Sequence, residues 1–388
     1  MEQTKLKPRI LGASLGDPYS AGTYSGVPYH LYGQLEKRGE LVGRLDSNMR
    51  RPQDVLAGLI DWKESIKSKR PRPSKYWRFF PDNIERLSRR FRKAQQSISE
   101  HNAVLQIGVG PTPAPNKVFM AHAEISVQAA ATLPQYAETY GFESGKDRYL
   151  ERAMEGEKQF LETCDVVWTN SSWTAKTFAW AGIPEGKFWV QPPPCNCDDP
   201  GPIEREWAAP RILFIGKDWE RKGGPLLVEA FKELRKEFSG ARLIVIGCDP
   251  DVRDEGVEVL GYLDKSNEKD RLLIEQSLRE ATLFCMPSHW ESTGIVYMEA
   301  ALNGLPVVML SGQDREGLFP HEMAIHLSSD NVEELAEVMV SLSKDPDRMK
   351  QMGDFGAEFV RDNYTLDVLA ERISARIAHE LAGSAKCV

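Results

Sequence analysis

The stretch His289–Val308, HWESTGIVYMEAALNGLPVV, places the strongest constraint on the fold of this 388-residue chain. It follows the apolar run ATLFCMPS, which is typical of a buried strand that ends in a Pro-Ser turn. The pattern then predicts a loop that becomes a helix at Thr293-Gly294-Ile295. A helix start leaves backbone N–H groups unpaired at the positive end of the helix dipole. This position is therefore predicted to bind an anion such as phosphate.

Two glutamates lie on either side of this helix start. Seven residues separate Glu291 from Glu299. Glu299, more than one turn into the helix, can turn its carboxylate toward the same opening, where it would suit the vicinal diol of a ribose. Glu291, still in the loop, would contact the other end of the ligand. Two glutamates at this spacing are common on solvated helix faces, so the prediction depends on the whole run from the strand to Asn-Gly-Leu-Pro.

This run resembles the glutamate–seven–glutamate motif of the retaining family 4 glycosyltransferases, which have the GT-B fold. The resemblance implies that Glu299 binds the ribose of a nucleotide sugar and that Glu291 contacts the sugar to be transferred. It also implies that backbone amides between the glutamates hold the diphosphate, at Thr293, Gly294 and Ile295. The sequence departs from the family at Thr293, because an aromatic residue usually precedes the glycine.

Length and composition predict two soluble domains. A chain of 388 residues is long for one core, and 41% hydrophobic with 27% charged residues is typical of a globular protein. No apolar run approaches the roughly 20 residues that cross a bilayer, and the polar start has no signal-peptide core, so a cytoplasmic location is expected. The net charge of −8 argues against wholesale nucleic-acid binding.

Strand, loop and helix patterns alternate along both halves of the chain and predict an α/β fold. The resemblance implies a GT-B protein with two Rossmann-like, doubly wound domains that face each other across a cleft. The predicted ranges are 1–195 for an acceptor-side domain and 196–365 for a nucleotide-sugar domain. Residues 366–388 are predicted as a helix that packs back on the first domain. The proline-rich segment Gln191–Ala209 is the predicted linker.

The first domain is predicted to open with a strand, Pro8–Ser14, a turn-rich loop and a helix, as a nucleotide-type α/β unit does. The loop is not GxGxxG, but the resemblance implies that Ser25 and Gly26 lie close to the phosphate of the nucleotide sugar. His122 follows the predicted strand Lys117–Ala121, at the edge where parallel sheets bind ligands. Family members often carry a histidine there that contacts the transferred sugar. His122 is the predicted active-site residue, and a histidine that caps a turn is the alternative.

The second domain is predicted to begin with the strand Arg211–Ile215, followed by GKDWERKGG and a helix. Cationic side chains on such a loop are well placed to neutralise a diphosphate. The family pattern is glycine-arginine, a few residues, then lysine-glycine, and Lys222-Gly223 matches its second part. Lys217 follows Gly216 where the arginine is expected, which keeps the charge but loses the bidentate fork. The resemblance implies that both lysines contact phosphate, and a solvated position is the alternative for either one alone.

Tyr262 follows the predicted strand Val257–Leu260, in the region where family members contact the nucleotide base through their backbone. Backbone contacts leave no side-chain signature, so a UDP-sugar and a GDP-sugar both stay open. No cofactor and no metal ion are predicted, since the lysines and the helix start would meet the charge of the leaving diphosphate. Six cysteines are scattered, and the close pair Cys195 and Cys197 has no second pair at metal-ligand spacing.

The segment from Lys63 to Lys93 is strongly basic, with twelve Lys or Arg and three acidic residues. A helix is predicted over Asn83–Gln95, with Ile84, Leu87 and Phe91 at helical spacing. Such a segment suits an anionic membrane surface or an acidic acceptor. The alternative is a solvated pair of helices that packs its aromatic residues inward.

These features predict a hexosyltransferase that moves a sugar from a nucleotide diphosphate sugar to a hydroxyl group. The acceptor would be a glycan, a glycolipid or a small molecule, and the role would lie in polysaccharide or glycoconjugate biosynthesis. One alternative is an inactive nucleotide-sugar-binding partner subunit, which the departures at Lys217 and Thr293 would favour. Another is transfer onto a polyanion such as DNA through the basic segment.

Overall fold

The computed structural model describes residues 7–48, 76–133 and 148–384. The chain divides into two compact units, Met1–Pro192 with Leu366–Val388 and Pro193–Thr365. The domain boundaries predicted at residues 195 and 365 remain predictions. Residues 63–75 of the basic segment lie outside the described residues.

The first unit is built on one sheet of six strands. Its strands are β1 (Ile10–Ser14), β2 (Leu41–Asp46), β3 (Ala103–Ile107), β4 (Val118–His122), β5 (Val166–Thr169) and β6 (Phe188–Val190). Before its last helix, the described part of this unit contains α1 (Val27–Lys37), α2 (Pro81–Gln95), α3 (Val127–Thr132), α4 (Arg148–Thr163) and α5 (Ser172–Lys176). The strand order is β2-β1-β3-β4-β5-β6, and neighbouring strands are parallel.

The second unit repeats this architecture with another six-stranded sheet. Its strands are β7 (Arg211–Ile215), β8 (Arg242–Ile246), β9 (Val257–Gly261), β10 (Leu283–Cys285), β11 (Val307–Leu310) and β12 (Ala324–Leu327). Its helices are α6 (Gly224–Glu237), α7 (Glu268–Glu280), α8 (Ile295–Leu302), α9 (Arg315–Leu318), α10 (Val332–Ser343) and α11 (Pro346–Asn363). The order is β12-β11-β10-β7-β8-β9, again with parallel neighbours.

The last helix, α12 (Leu366–Ser384), belongs to the first unit although it follows the second in the chain. The hydroxyl of Ser374 in α12 donates a hydrogen bond of 2.6 Å to Glu40, next to β2. Arg372 donates a hydrogen bond of 3.1 Å to Gln191, after β6. Within the ranges that the structure describes, no helix is long and apolar enough to cross a membrane.

Apolar strands and amphipathic helices give each unit its core. β1, β3 and β4 are buried along their whole length, as expected for a parallel sheet that is covered on both faces. In α6, Leu227, Phe231 and Leu234 recur every three or four residues and are fully buried. These three positions form the core face of the helix that was predicted to follow the glycine-lysine loop.

Several predicted bounds agree with the structure, and others shift by one or two residues. Arg211–Ile215 has the predicted ends. The side chain of Ser171 caps α5 by accepting a 3.1 Å hydrogen bond from Thr174 N. β4 covers Val118–His122 instead of Lys117–Ala121. His122 is therefore the last residue of its strand and not the residue after it.

Candidate functional site

Two loops of the second unit meet where its strand order reverses, between β10 and β7. One loop follows β7 and covers residues 216–223, and the other follows β10 and leads to α8. The N–H of His289 donates to the carbonyl of Arg221 at 3.0 Å, and Oγ of Ser288 lies 3.3 Å from the same carbonyl oxygen. Open α/β sheets bind ligands outside the carboxyl ends of their strands at such a reversal, so these loops form the candidate site.

Glu291 lies in the middle of these loops and is only 9% exposed. Three side chains reach its Oε1 atom: Lys222 through Nζ, Arg221 through Nη1 at 3.2 Å and Ser288 through Oγ at 2.9 Å. Burial by itself would raise the pKa of Glu291, but the charges of Lys222 and Arg221 and the hydrogen bonds from Lys222 and Ser288 hold the pKa below its ordinary value. Glu291 is therefore a buried carboxylate that stays ionised.

The helix α8 begins directly after Gly294, as predicted. Gly294 has φ 78° and ψ 64°, and its N-cap position makes no side-chain capping hydrogen bond. A Cβ atom at Gly294 would lie 2.5 Å from the ring of Tyr297, so only glycine fits without displacement. Ile295 is the first helical residue, and the N–H groups at such a helix start can bind an anion. The N–H of Tyr297 is already paired with the carbonyl of Gly294 at 2.9 Å.

Thr293, beside this helix start, carries a hydroxyl group that costs stability. The residue is 2% exposed, and its Oγ1 has no hydrogen-bond partner among the described residues. An unpaired buried hydroxyl costs roughly 1–3 kcal/mol. Thr293→Val, which has nearly the same shape, is therefore expected to raise the free energy of unfolding by about 1 kcal/mol, measured by urea unfolding.

Thr282→Val is the matched control for that substitution. Thr282 is also buried, but its hydroxyl accepts a 3.0 Å hydrogen bond from the N–H of Arg211. Its removal is expected to lower the free energy of unfolding by about 1–3 kcal/mol, because a buried N–H loses its partner. A Thr293→Val protein that loses stability to the same degree would show that the Thr293 hydroxyl is paired in solution.

Glu299 faces a cation in the structure. Its buried carboxylate lies 2.6 Å from Nζ of Lys265. Burial would lower the pKa of Lys265, but the charge and hydrogen bond of Glu299 raise it above its ordinary value. The carboxylate predicted to bind a ribose is thus paired with a lysine that reaches the surface.

Gly216, Lys217 and Tyr262 lie along the carboxyl edge of the same sheet. The N–H of Gly216 donates to the carbonyl of Ile246 at 2.8 Å, and a Cβ atom at Gly216 would lie 3.0 Å from Cγ of Lys222. Nζ of Lys217 lies 5.1 Å from the ring centroid of Tyr262, a cation–π contact on the exposed side of the loop. The structure therefore groups Gly216 with Lys222, and Lys217 with Tyr262.

His122 lies in the first unit, buried at the carboxyl end of β4. Its Nε2 lies 2.6 Å from Oδ1 of Asn170, and its ring centroid lies 4.5 Å from that of Trp168. Burial lowers the pKa of His122, and Asn170 and Glu124 offset only part of this effect. The neutral ring donates from Nε2 to Asn170, which leaves Nδ1 as an acceptor without a partner among the described residues.

The loop that ends at Gly26 has an unusual backbone. Tyr24, Ser25 and Gly26 have φ of 46°, 53° and 85°, so two residues other than glycine adopt the left-handed conformation. The Tyr24 hydroxyl lies against Gly108, whose N–H donates to the carbonyl of His122 at 3.0 Å. Burial, with the charge of Glu124, raises the pKa of Tyr24 to about 12. This loop and His122 therefore share one edge of the first sheet.

A family model described as glycosyl transferases group 1 matches residues 209–345, the segment that carries Lys222, Glu291 and Gly294. The GDP-mannose-dependent alpha-(1-6)-phosphatidylinositol monomannoside mannosyltransferase of Mycobacterium tuberculosis (strain CDC 1551 / Oshkosh) is 27% identical over 263 residues, which cover 61% of this chain and 68% of that protein. The chain is a glycosyltransferase. This glycosyltransferase is also similar to the D-inositol 3-phosphate glycosyltransferase of Segniliparus rotundus, 28% identical over 188 residues, 45% of this chain and 41% of that protein.

Among solved structures, sucrose-phosphate synthase from Thermosynechococcus elongatus superposes on the glycosyltransferase with a TM-score of 0.61. The match covers 97% of this chain and 100% of that chain. Because only 14% of the residues are identical, it supports the fold alone. The predicted GT-B fold class is confirmed, and so is glycosyl transfer from a nucleotide sugar to an acceptor. The alternatives of an inactive partner subunit and of transfer onto DNA are not favoured.

Arg221 was not among the residues predicted for the site of this glycosyltransferase. Its guanidinium lies 4.3 Å from the ring centroid of Trp290 and donates to the carbonyl of Trp290 at 3.0 Å. It also bonds Asp218 at 3.1 Å, within its own loop. The family's lysine-glycine pattern pointed to Lys222 alone. Arg221 directly precedes Lys222, and its charge in the same loop was the sequence signal that could have identified it.

Proposed function

We propose that this glycosyltransferase moves a hexose from a UDP- or GDP-sugar to a hydroxyl group, with retention of the anomeric configuration and without a metal ion. The observation that carries the proposal is the convergence of Lys222, Arg221 and the start of α8 around the ionised Glu291. The leaving group is a nucleoside diphosphate. Its developing negative charge would be met by Lys217, Lys222 and the N–H groups after Gly294.

Glu291 is proposed to orient hydroxyl groups of the transferred sugar. Its Oε1 is occupied by three hydrogen-bond donors, and its lowered pKa makes it a weak base. Both features favour a fixed acceptor of hydrogen bonds over an attacking nucleophile. Glu299 is proposed to bind the ribose diol, in exchange for its contact with Lys265. The base of the nucleotide is proposed to lie near Tyr262, at the carboxyl edge of the second sheet.

For the first unit, we propose that Nδ1 of His122 accepts a hydrogen bond from a sugar hydroxyl. Its burial, its lowered pKa and its unpaired Nδ1 support that role, because a neutral imidazole can accept where an imidazolium cannot. The loop at Ser25 and Gly26 is proposed to face a phosphate. Its left-handed backbone directly before α1 supports this, since successive N–H groups in such a turn form anion-binding concavities.

The nucleotide and the acceptor are proposed only as classes. The mannosyltransferase relative is named for GDP-mannose, and the names of both relatives include inositol. A thermal-shift panel of UDP, GDP, ADP and TDP identifies the base, because a ligand that binds only the folded protein raises its melting temperature with affinity. Anomeric analysis of the product and activity in excess EDTA test retention and metal independence.

Contact of the basic segment, residues 63–93, with an anionic membrane stays a hypothesis, as does a cytoplasmic location. In α2 the apolar residues Ile84, Leu87 and Phe91 are buried in the first unit. They cannot also enter a bilayer, so any contact would be electrostatic, through arginines such as Arg89, which is exposed. This arrangement favours a solvated face for the described part of the segment.

Glu299→Gln is expected to raise the KM of the nucleotide sugar about tenfold or more with little change in kcat, because a ribose contact is made equally in the ground and transition states. Glu291→Gln is expected to lower mainly kcat, because it alters the groups next to the reacting carbon. Initial rates over a range of nucleotide-sugar concentrations separate the two effects. Glu275→Gln, an exposed residue of α7 paired with Arg271, is the control. Identical kinetic profiles for the two site variants would contradict these roles.

A further inference from the structure

Arg315, the first residue of α9, is a cation in an unusual position. It is 0% exposed, and it forms no ion pair within the described parts of the chain. Its guanidinium donates to neutral oxygens only, the carbonyls of Gly312 at 2.8 Å, Ser311 at 3.1 Å and Ser288 at 2.8 Å, and Oε1 of Gln313 at 2.7 Å. Burying a charge without a counter-ion is costly, so a group that persists in this state requires an explanation.

The loop before Arg315 adds a second cost. Gly312, Gln313 and Asp314 have φ of 109°, 52° and 67°, so three consecutive residues are left-handed and two of them are not glycine. A residue other than glycine is strained in this conformation, because its Cβ atom approaches the backbone. Strain of this kind is concentrated at functional sites. The strained loop and the buried cation lie at the same place in the fold.

The hydrogen bonds of Arg315 lead directly to Glu291. Nη1 of Arg315 holds the carbonyl of Ser288, which is itself fully buried. The hydroxyl of Ser288 donates to Oε1 of Glu291 at 2.9 Å. Lys222 and Arg221 reach the same Oε1 from the loop after β7, so all three hydrogen-bond donors hold one oxygen of the carboxylate. Because these contacts fix Oε1, they also fix the direction in which the other oxygen, Oε2, points.

We propose that Ser288 and Arg315 are positioning residues for Glu291. Arg315 fixes the backbone at Ser288, the Ser288 hydroxyl fixes Oε1, and Oε2 is thereby held toward the hydroxyl groups of the transferred sugar. The inference rests on the proposed role of Glu291 in binding the nucleotide sugar. It adds that this role depends on a relay, a chain of hydrogen bonds that starts at Arg315, the first residue of α9.

A double-mutant cycle of Ser288→Ala and Glu291→Gln tests the relay by its coupling. Ser288→Ala is expected to lower kcat about tenfold with the KM of the nucleotide sugar within twofold of the wild type. The double variant is expected to have the kcat of Glu291→Gln, because the hydroxyl acts only through the carboxylate. Ser277→Ala is the matched control, since this buried serine of α7 donates only to the carbonyl of Leu273, at 2.8 Å, and its loss is expected to leave kcat unchanged.

A second double-mutant cycle combines Arg315→Lys with Glu291→Gln and tests the start of the relay. Lysine keeps the positive charge of Arg315 but lacks the planar guanidinium that donates several hydrogen bonds at once. This substitution is expected to lower kcat in the wild type severalfold and to have no further effect in the Glu291→Gln background. If the losses multiply in either double variant, or if Ser288→Ala keeps the wild-type kcat, the relay is wrong. If Glu291→Gln itself keeps the wild-type kcat, both the relay and the proposed role of Glu291 fail. Circular dichroism and melting temperatures confirm that each variant is folded.

Discussion

Lys222→Ala is expected to lower kcat/KM for the nucleotide sugar by roughly 30- to 1,000-fold, which corresponds to about 2–4 kcal/mol of transition-state stabilisation. Lys222 directs its ammonium group to Glu291 and has a side chain that is only 12% exposed. A cation that is mostly shielded from water acts strongly on the negative charge that develops on a departing diphosphate. Initial rates of transfer, or of hydrolysis of the nucleotide sugar, measure the loss.

Lys236→Ala is the control for this substitution. Lys236 lies at the end of α6, is exposed and pairs with Glu233 on the same helix, so wild-type kinetics are expected. The loss of Lys222 leaves Glu291 with Arg221 and Ser288, and some stability is lost with it. A folded Lys222→Ala protein with an unchanged rate would remove Lys222 from the site. Lys217→Arg restores the arginine typical of the family and is expected to keep activity.

Glu157→Gln is expected to stabilise the protein at alkaline pH by an amount on the order of 4 kcal/mol. Glu157 lies in α4, is fully buried, and both of its carboxylate oxygens accept from the N–H of Val127, at 3.1 and 3.0 Å. Burial raises the pKa of Glu157 from 4.5 to about 8, although the N–H of Val127 lowers it in part. The described residues include no cation bonded to it.

The sign of this pH dependence follows from proton binding. Between pH 4.5 and about 8, the folded protein keeps the proton of Glu157 while the unfolded chain has lost it. The contribution to stability is therefore fully present below about pH 4.5 and is lost as the pH rises through about 8. The glutamine side chain of the variant is neutral at every pH, so the variant and the wild type diverge across this window.

Unfolding curves in urea from pH 5 to pH 9 measure the divergence between wild type and Glu157→Gln. Glu155→Gln is the control on the same helix, since Glu155 is exposed and bonds only Gln159. The control is expected to follow the wild type at every pH. Parallel curves for Glu157→Gln and wild type would show that Glu157 titrates near its ordinary pKa in the folded protein.

The local pattern of the sequence determined the class of fold and directed attention to the candidate site. Apolar runs of strand length alternate with helical spacing, and this was sufficient to predict β7 with its ends. The glutamate motif placed a helix start at Gly294, and the lysine-glycine pair placed Lys222 on the facing loop. These features are readable because a helix start, a strand and a loop glycine depend on residues that are close in the chain.

Only the tertiary structure decided which groups surround Glu291 and what state they adopt. Arg221 and Lys222 reach Glu291 from about 70 positions away, and Arg315 reaches Ser288 across 27 positions. The sequence pattern also did not predict that Glu157 is buried or that Nδ1 of His122 is an acceptor. Nor did it predict that the Thr293 hydroxyl has no partner among the described residues. Local periodicity carries no information on them, because burial and charge pairing depend on which loops the parallel strands bring to one edge of a sheet.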